Sequence, residues 1–231
     1  MTPRLALTGS GGAIHRVGRR PDAWAWPEWS YAHEDGTFGN RYDDPHGEYR
    51  VLYASDRRVG AFAETLARFR PDLVVAAELE RIDADPEDAD HSATIALGVV
   101  PCEWLDARVI GRAAHRGRFV DVGHSDSLAV LRRALAARAL HYGLDDLDAG
   151  EVRRRAPRAF TQEISRHVFV HARDADGHPV AGIRYLSRLG DELVNWAIFE
   201  TDPPSDTRSE AIDPTDPDLE TVFDRFGLSW G

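Results

Sequence analysis

The chain has 231 residues, of which 42% are hydrophobic and 29% charged, so it is long enough to bury a core and has the composition of a globular protein. This composition excludes a wholly disordered chain, a collagen-like repeat and a disulfide scaffold. The formal net charge of -11, from 28 basic and 39 acidic residues, argues against a general nucleic-acid binder, which needs a basic surface.

The rarer residue types narrow the chemistry further. All basic residues are arginine, which excludes Schiff-base chemistry and the phosphate-binding lysine of a P-loop. The only cysteine, Cys102, cannot form an internal disulfide, and its apolar neighbours predict a buried thiol. The longest uncharged apolar run, residues 93–102, is much shorter than the roughly 20 residues of a membrane span. With no basic-then-apolar leader, the sequence predicts a cytoplasmic protein without membrane contact.

The N-terminal part of the chain predicts two strands separated by a long loop. Residues 1–12 are predicted to be a loose N-terminus, followed by a strand over residues 13–17. Residues 24–44 have little periodicity, yet they contain Trp24, Trp26, Trp29 and Tyr31, which favours an ordered, functional loop. Residues 49–54 predict the second strand.

A helix is predicted directly after the second strand. Its apolar face consists of Val59, Phe62, Leu66 and Phe69, at spacings of three, four and three residues. We expect Ser55 or Asp56 to cap this helix, because their side chains can accept hydrogen bonds from its free first-turn N–H groups, and Pro71 to end it.

The rest of the chain mixes strands and helices without regular βαβ alternation. This predicts an α+β fold, with residues 13–231 as a single domain. Strands are predicted over residues 73–82 and 93–100, on either side of an acidic turn, and short strands over 108–110 and 119–122. Helices are predicted from Ser125 or Ser127 to residue 142 and over residues 157–171. Paired strands over 180–185 and 194–199 are followed by an acidic, proline-rich linker over 200–216 and a closing helix over 217–226.

Generic catalytic motifs are absent from the sequence. It has no dinucleotide-binding glycine motif, P-loop, HExxH or GxSxG. His167 and His171 have the spacing to bind a metal from one helix face, but no third ligand follows nearby, so two ordinary histidines are favoured and no metal site is predicted. The arginines at 153, 154, 155 and 158 are interpreted as a solvated helix entry or a protein contact.

Residues 39–66 are the most informative segment. Glu64 is unusual because it lies near the apolar face of the predicted helix, where an unpaired carboxylate would be costly. An ion pair with Arg68, one turn further on, would explain it without a function. Taken singly, Tyr53 is explained as a core aromatic and Arg41 as a loop charge.

Taken together, these residues resemble the opening of RES-domain proteins, bacterial toxins named for an Arg, Glu, Ser set. Arg41 lies in the turn GNRYDDP, Tyr53 in the strand VLYAS and Glu64 in AFAETL. The later segment GIRYLSR, followed by NWAIF, resembles the family's closing motif and places its serine at Ser187. The chain departs from the family where many relatives have a Trp-Asn pair after the arginine, and its insertion between Arg41 and Tyr53 is longer.

The resemblance implies a fold similar to ADP-ribosyltransferases, with a mixed, mostly antiparallel sheet and flanking helices. It also implies cleavage of NAD at the nicotinamide–ribose bond, with NAD as a substrate, no cofactor, and inorganic phosphate as a candidate co-substrate. In that chemistry Glu64 stabilises an oxocarbenium-like ribose. Arg41 suits the NAD diphosphate or phosphate, and Tyr53 the nicotinamide ribose. Ser187 suits a ribose hydroxyl or phosphate; Asn195 and Arg16 are further substrate-binding candidates.

Three functions follow from the resemblance. The first is an NAD glycohydrolase or phosphorylase that acts as the toxin of a toxin–antitoxin pair, neutralised by an antitoxin protein with a helix-turn-helix domain. The second is an ADP-ribosyltransferase that modifies a protein. The third is a catalytically inactive RES-like module that binds protein. The sequence leaves open whether the chain forms a homo-oligomer.

Overall fold

The structure is a computed structural model that describes residues 4–79, 81, 97–154 and 157–231. Two 3-10 turns, Trp29–Tyr31 and Ala67–Phe69, accompany its strands and α-helices. The strands are β1 (Leu7–Thr8), β2 (Ala13–Arg19), β3 (Val51–Ser55), β4 (Val99–Val100), β5 (Arg108–Ala114), β6 (Phe119–Asp121), β7 (Gly182–Leu186), β8 (Val194–Phe199), β9 (Ser205–Ala211) and β10 (Ser229–Trp230). The helices are α1 (Arg58–Leu66), α2 (Leu73–Leu79), α3 (Glu103–Asp106), α4 (Ser125–Ala134), α5 (Ala136–His141), α6 (Ala149–Arg153), α7 (Arg158–His171) and α8 (Pro217–Phe226).

The centre of the fold is an eight-stranded sheet with the order β1-β6-β7-β8-β3-β2-β5-β9. Its neighbouring strands are antiparallel except for β6 and β7, which are parallel. A second, two-stranded sheet pairs β10 with β4 in parallel. The α+β fold with a mixed, mostly antiparallel sheet and flanking helices is therefore confirmed.

All the described helices except α2 pack in two groups on one face of the main sheet. Side chains directly opposite each other in paired strands share a face, and alternate residues along a strand point to opposite faces. Val51 and Phe199 on that face pack with the cluster that includes residues of α4 to α7. Val17 and Ile110 pack with the cluster that includes residues of α1, α3 and α8. The middle of the same face lies between the two groups of helices.

Several sequence predictions agree closely with these elements. The strand over 194–199 and the helix over 217–226 have the predicted bounds, and the helix over 157–171 begins one residue later. Gly227, with φ 63°, ends α8 in the left-handed conformation that glycine adopts easily. The acidic turn and the start of the strand predicted over 93–100 lie outside the described residues.

The strand prediction over residues 73–82 is wrong for its described part. Leu73–Leu79 is helical because Asp72 caps it, its Oδ1 accepting hydrogen bonds from the N–H groups of Val74 and Val75 at 2.8 and 3.2 Å. Leu73 and Val74 are exposed, so apolar composition without burial misled the prediction.

The predicted helix caps also differ from the structure. Arg57, not Ser55 or Asp56, is the N-cap of α1, and it makes no capping hydrogen bond through its side chain. His124 caps α4 in place of a serine, its Nδ1 accepting from the N–H of Asp126 at 3.1 Å. The helix predicted up to residue 142 is interrupted at Leu135, where ψ is 12°.

Two segments that were predicted to lack regular structure contain strands. Part of the loose N-terminus forms β1, and the N–H of Ala6 donates to Ser127 Oγ at 2.9 Å. Within the predicted linker over 200–216, residues 205–211 form β9, which is exposed along its whole length and pairs with β5 at the sheet edge. Polar composition predicts exposure correctly here, but an edge strand satisfies the hydrogen bonds of its backbone while its side chains remain in water.

The burial predicted for Cys102 is wrong, because its side chain is exposed.

Candidate active site

A cleft of about 990 Å³ opens where the main sheet is divided between β2 and β3. These strands pair only at His15 and Ser55, whereas β2 pairs with β5 along its whole length and β3 pairs with β8 along its whole length. The cleft therefore lies at the division of the sheet, and its lining includes Glu64 on the helix-bearing side as well as Ala23 and Ala54 from the cluster on the opposite face. Its volume is near the upper end of the roughly 300–1,000 Å³ range of small-molecule pockets.

Helix α1 positions Glu64 at this cleft. Gly60 allows the helix to approach β3 closely, since a Cβ atom there would lie 2.2 Å from Ser55 Oγ. Phe62 and Leu66 bury the opposite side of the helix in the core. Glu64 is consequently exposed and lines the cleft, so its predicted position near the buried face is corrected.

Glu64 is held by two donors, one on strand β8 and one directly after strand β7. Its Oε1 atom accepts from Ser187 Oγ at 2.5 Å and from Asn195 Nδ2 at 2.6 Å. The ion pair between Glu64 and Arg68 that the sequence suggested is not found among the described residues. The Arg68 guanidinium lies 4.6 Å from the Phe69 ring centroid instead. Two charge-assisted hydrogen bonds to one oxygen fix the carboxylate and leave the other oxygen to the cleft.

Ser187 and Asn195 are buried parts of this arrangement. Ser187 is 2% exposed, and its Oγ also accepts from the N–H of Leu189 at 3.0 Å, so its hydroxyl is directed to Glu64. Asn195 is 1% exposed on β8, opposite Ser55. Its Oδ1 is buried without a hydrogen-bond partner among the described residues, a costly arrangement in an apolar core.

Arg41 lies on the loop side of the cleft. Its guanidinium donates to the carbonyl oxygens of Val152 and Arg153, at 3.4 and 3.0 Å. The same group lies 5.8 Å from the ring centroid of Tyr185, which also lines the cleft. Neutral carbonyls and an aromatic face orient this cation without neutralising it.

Tyr53 connects the sheet to the turn that carries Arg41. Its hydroxyl donates to Asp43 Oδ1 at 2.8 Å and accepts from the N–H of Tyr42 at 2.9 Å. Burial raises the pKa of the Tyr53 phenol well above its usual value, and burial also raises the pKa of Asp43. The ring of Tyr53 lines the cleft, while its hydroxyl holds the turn.

Arg16 occupies the division between β2 and β3. Its Nη1 donates to the carbonyl of Tyr53 at 2.9 Å and its Nε to the carbonyl of Ala23 at 2.7 Å. Burial lowers the pKa of Arg16 to about 10, so the side chain stays positively charged at neutral pH. The Tyr53 carbonyl, at a point where β3 does not pair with β2, thus accepts a hydrogen bond from the Arg16 guanidinium.

The aromatic loop predicted over residues 24–44 forms the outer wall. It crosses β2 closely because Gly18 has no side chain; a Cβ atom there would lie 2.5 Å from the Cα of Ala23. Arg50 anchors the loop, with its guanidinium 5.9 Å from the Trp26 ring and 5.7 Å from the Trp29 ring, and with an ion pair to Glu200 at 2.6 Å. The loop is irregular but tied to the sheet.

The cleft is basic although the protein is acidic overall. Its lining combines six arginines with three acidic residues. The arginines are Arg16, Arg19, Arg20, Arg41, Arg158 and Arg188, and the acidic residues are Asp22, Glu28 and Glu64. Such a concentration of positive charge favours an anionic ligand.

Most of the residues described for this site were predicted from sequence, but Tyr185 and Asp43 were not. Tyr185 lies in the segment GIRYLSR, two residues before Ser187, and the period of a strand could have placed it on the same face. Asp43 is recognisable only from its contact with Tyr53. All six predicted site residues are found in or directly behind the cleft.

The other candidates from sequence lie elsewhere. The rings of His167 and His171 are 4.8 Å apart, and burial lowers the pKa of His167. Of the arginine group, Arg153 pairs with Asp191 at 2.8 Å and Arg154 with Glu151 at 3.1 Å. Arg155, also in this group, lies outside the described residues. Arg158 donates to the carbonyl of Gly39.

Comparison with known proteins supports the family. The RES domain model matches residues 13–115, a little under half of the chain, so this part of the chain is similar to RES domains. It contains Arg16, Arg41, Tyr53 and Glu64, whereas Ser187 and Asn195 lie beyond it. No curated protein and no solved structure matches the chain significantly. Among the described residues, no helix has both the length and the apolar character needed to cross a bilayer.

Proposed function

We propose that this protein, part of which matches the RES domain model, is an enzyme that cleaves the nicotinamide–ribose bond of NAD. The observation that carries the proposal is the Glu64 carboxylate, fixed by Ser187 and Asn195, in a cleft that also contains cationic arginines. A fixed carboxylate beside an anion-binding surface suits a substrate with a negatively charged diphosphate and a reacting sugar.

Glu64 would act on the reacting ribose. When the bond between ribose C1′ and the nicotinamide nitrogen breaks, the bonding electron pair leaves with nicotinamide and the ribose develops positive charge. The Glu64 carboxylate, with Oε1 held and Oε2 toward the cleft, stabilises that charge. It also orients the incoming water or phosphate, which forms the new bond to C1′ and loses a proton.

Arg16 and Arg41 would bind the diphosphate. Each is anchored by two backbone carbonyls, and neither has a carboxylate within ion-pair distance in the part of the chain that the structure describes. Their charge is therefore available to a ligand, and the planar guanidinium suits two phosphate oxygens at once.

The decisive experiment is NAD turnover by the purified protein, followed as nicotinamide release. We expect Glu64→Gln to lower kcat by at least about 100-fold, because losing one transition-state contact of this kind costs about 10²–10³ in rate. The control is Glu220→Gln, an exposed acid on α8 outside the cleft. A folded wild-type protein that leaves NAD intact with and without phosphate would contradict the proposal.

The products then identify the acceptor. Free ADP-ribose indicates hydrolysis, its phosphate ester indicates phosphorolysis, and a labelled protein indicates ADP-ribosyl transfer. We further propose, from the similarity to RES domains, that the enzyme acts as a toxin and that an antitoxin protein with a helix-turn-helix domain neutralises it. Growth arrest on expression, relieved by Glu64→Gln, is the expected result.

A further inference from the structure

Tyr31 is a large aromatic side chain that remains 65% exposed while it lines the cleft. The guanidinium carbon of Arg19 lies 5.8 Å from its ring centroid. An aromatic ring has two faces, and with Arg19 over one of them this exposure leaves ring surface open for a planar ligand. Stacking on such a ring is available to any planar base.

The position of Tyr31 separates it from the reacting end of the cleft. Asn195, which holds Glu64, is paired with Ser55, and Ser55 is paired with His15 on β2. Arg19, which contacts Tyr31, lies four residues further along β2, a distance of about 13 Å. The arginine-lined part of the cleft extends along the same strand. A ligand with an anionic centre and a planar group at each end fits this order.

We propose that Tyr31, supported by Arg19, is a stacking platform for the purine base of a dinucleotide whose other end reacts at Glu64. This rests on the proposed function and identifies the part of the substrate that the loop wall recognises. Arg50 and its contacts with Trp26 and Trp29 hold the loop in place, so the platform is formed before the ligand binds.

Neighbouring exposed aromatics fit this role less well. Trp29 is 41% exposed, but it packs on Phe38 at a centroid distance of 5.5 Å and on Arg50, and it does not line the cleft. Trp26 lines the cleft but is half-buried and contacts Arg50. Tyr31 combines exposure with a place in the lining.

The test compares NAD with nicotinamide mononucleotide, which contains the reacting bond but lacks the purine. Base–aromatic stacking changes affinity by about 5- to 150-fold. We therefore expect Tyr31→Ala to lower the ratio of kcat/KM for NAD to kcat/KM for the mononucleotide about tenfold. Tyr31→Phe restores the ratio because it keeps the ring. Leu140→Ala, which removes a 67% exposed side chain outside the cleft, leaves the ratio unchanged.

Binding of AMP, measured by calorimetry, separates this inference from the proposed function. Weaker AMP binding by Tyr31→Ala supports the platform even if neither substrate is turned over. Turnover of NAD with an unchanged ratio in Tyr31→Ala would overturn the platform and leave the proposed function intact. An equal loss for both substrates, or no AMP binding to the wild type, would also overturn it and assign Tyr31 to loop structure or to a protein contact.

Discussion

The inner wall of the cleft carries Glu64, Ser187 and Asn195 on or beside helix α1 and strand β8, whereas the outer wall carries Arg41 and Tyr31 on an irregular loop. Helix packing and strand pairing position the inner groups, and two of them are almost fully buried. Side-chain hydrogen bonds and cation–aromatic contacts position the outer groups. In the proposed function, the bond-breaking chemistry would therefore lie on the rigid part of the fold, and recognition of the rest of the substrate would lie on the loop.

This comparison predicts that inner-wall changes mainly lower kcat and outer-wall changes mainly raise KM. The largest effect in this comparison is expected for Asn195→Asp, which replaces a donor to Glu64 Oε1 by a second carboxylate. Repulsion and the lost hydrogen bond should lower kcat about 100-fold or more. Nicotinamide release at saturating NAD measures it.

A second variant guards against misfolding at this buried position. Asn195→Ala removes the donor without adding charge, so we expect it to lower kcat less than Asn195→Asp, with circular dichroism confirming that both fold. Equal kcat in all three proteins would show that the amide does not position Glu64.

A smaller effect, on KM, is expected on the outer wall for Arg41→Ala. A hydrogen bond to a charged group contributes about 1.5–3 kcal/mol, so KM for NAD should rise roughly 10- to 150-fold while kcat changes less. Initial rates over a range of NAD concentrations measure the split. The matched control is Arg153→Ala, because the Arg153 side chain pairs with Asp191 outside the cleft. A fall in kcat alone would place Arg41 in the chemistry and break the comparison.

The smallest of these effects is expected for Tyr53→Phe. Tyr53 connects the two walls, because it lies on β3 and its hydroxyl holds the turn that carries Arg41. Without the hydroxyl, Asp43 loses a donor and the N–H of Tyr42 loses its acceptor, so the free energy of unfolding should fall by about 1–3 kcal/mol. Urea unfolding measures this change. Tyr142→Phe is the control, since it removes a hydroxyl outside this turn and keeps the ring that contacts His141 and Phe160. An unchanged unfolding midpoint would show that the Tyr53 hydroxyl does not stabilise the turn.

The elements that were predicted well from sequence have local causes. The bounds of α8 follow from an Asp216 cap, Pro217 at the first position and Gly227 at the end, all of which act within a few residues. Strand β8 follows from a mainly apolar segment, Val194–Phe199, in which Asn195 is the polar exception. Helix α2 was missed because its N-cap, Asp72, precedes an exposed apolar segment that looked like a buried strand.

By itself, the sequence determined the α+β class, most element positions and the residue types of the site, because periodicity, caps and short motifs are local properties. Through motif resemblance it also predicted Arg41, Tyr53, Glu64 and Ser187 as site residues, and the structure places them in or directly behind the cleft. Only the tertiary structure decided that Glu64 bonds to Ser187 and Asn195 and not to Arg68, and that Arg16 fills the division between β2 and β3. Those contacts join residues 37 to 131 positions apart, so strand register and helix packing had to fix them.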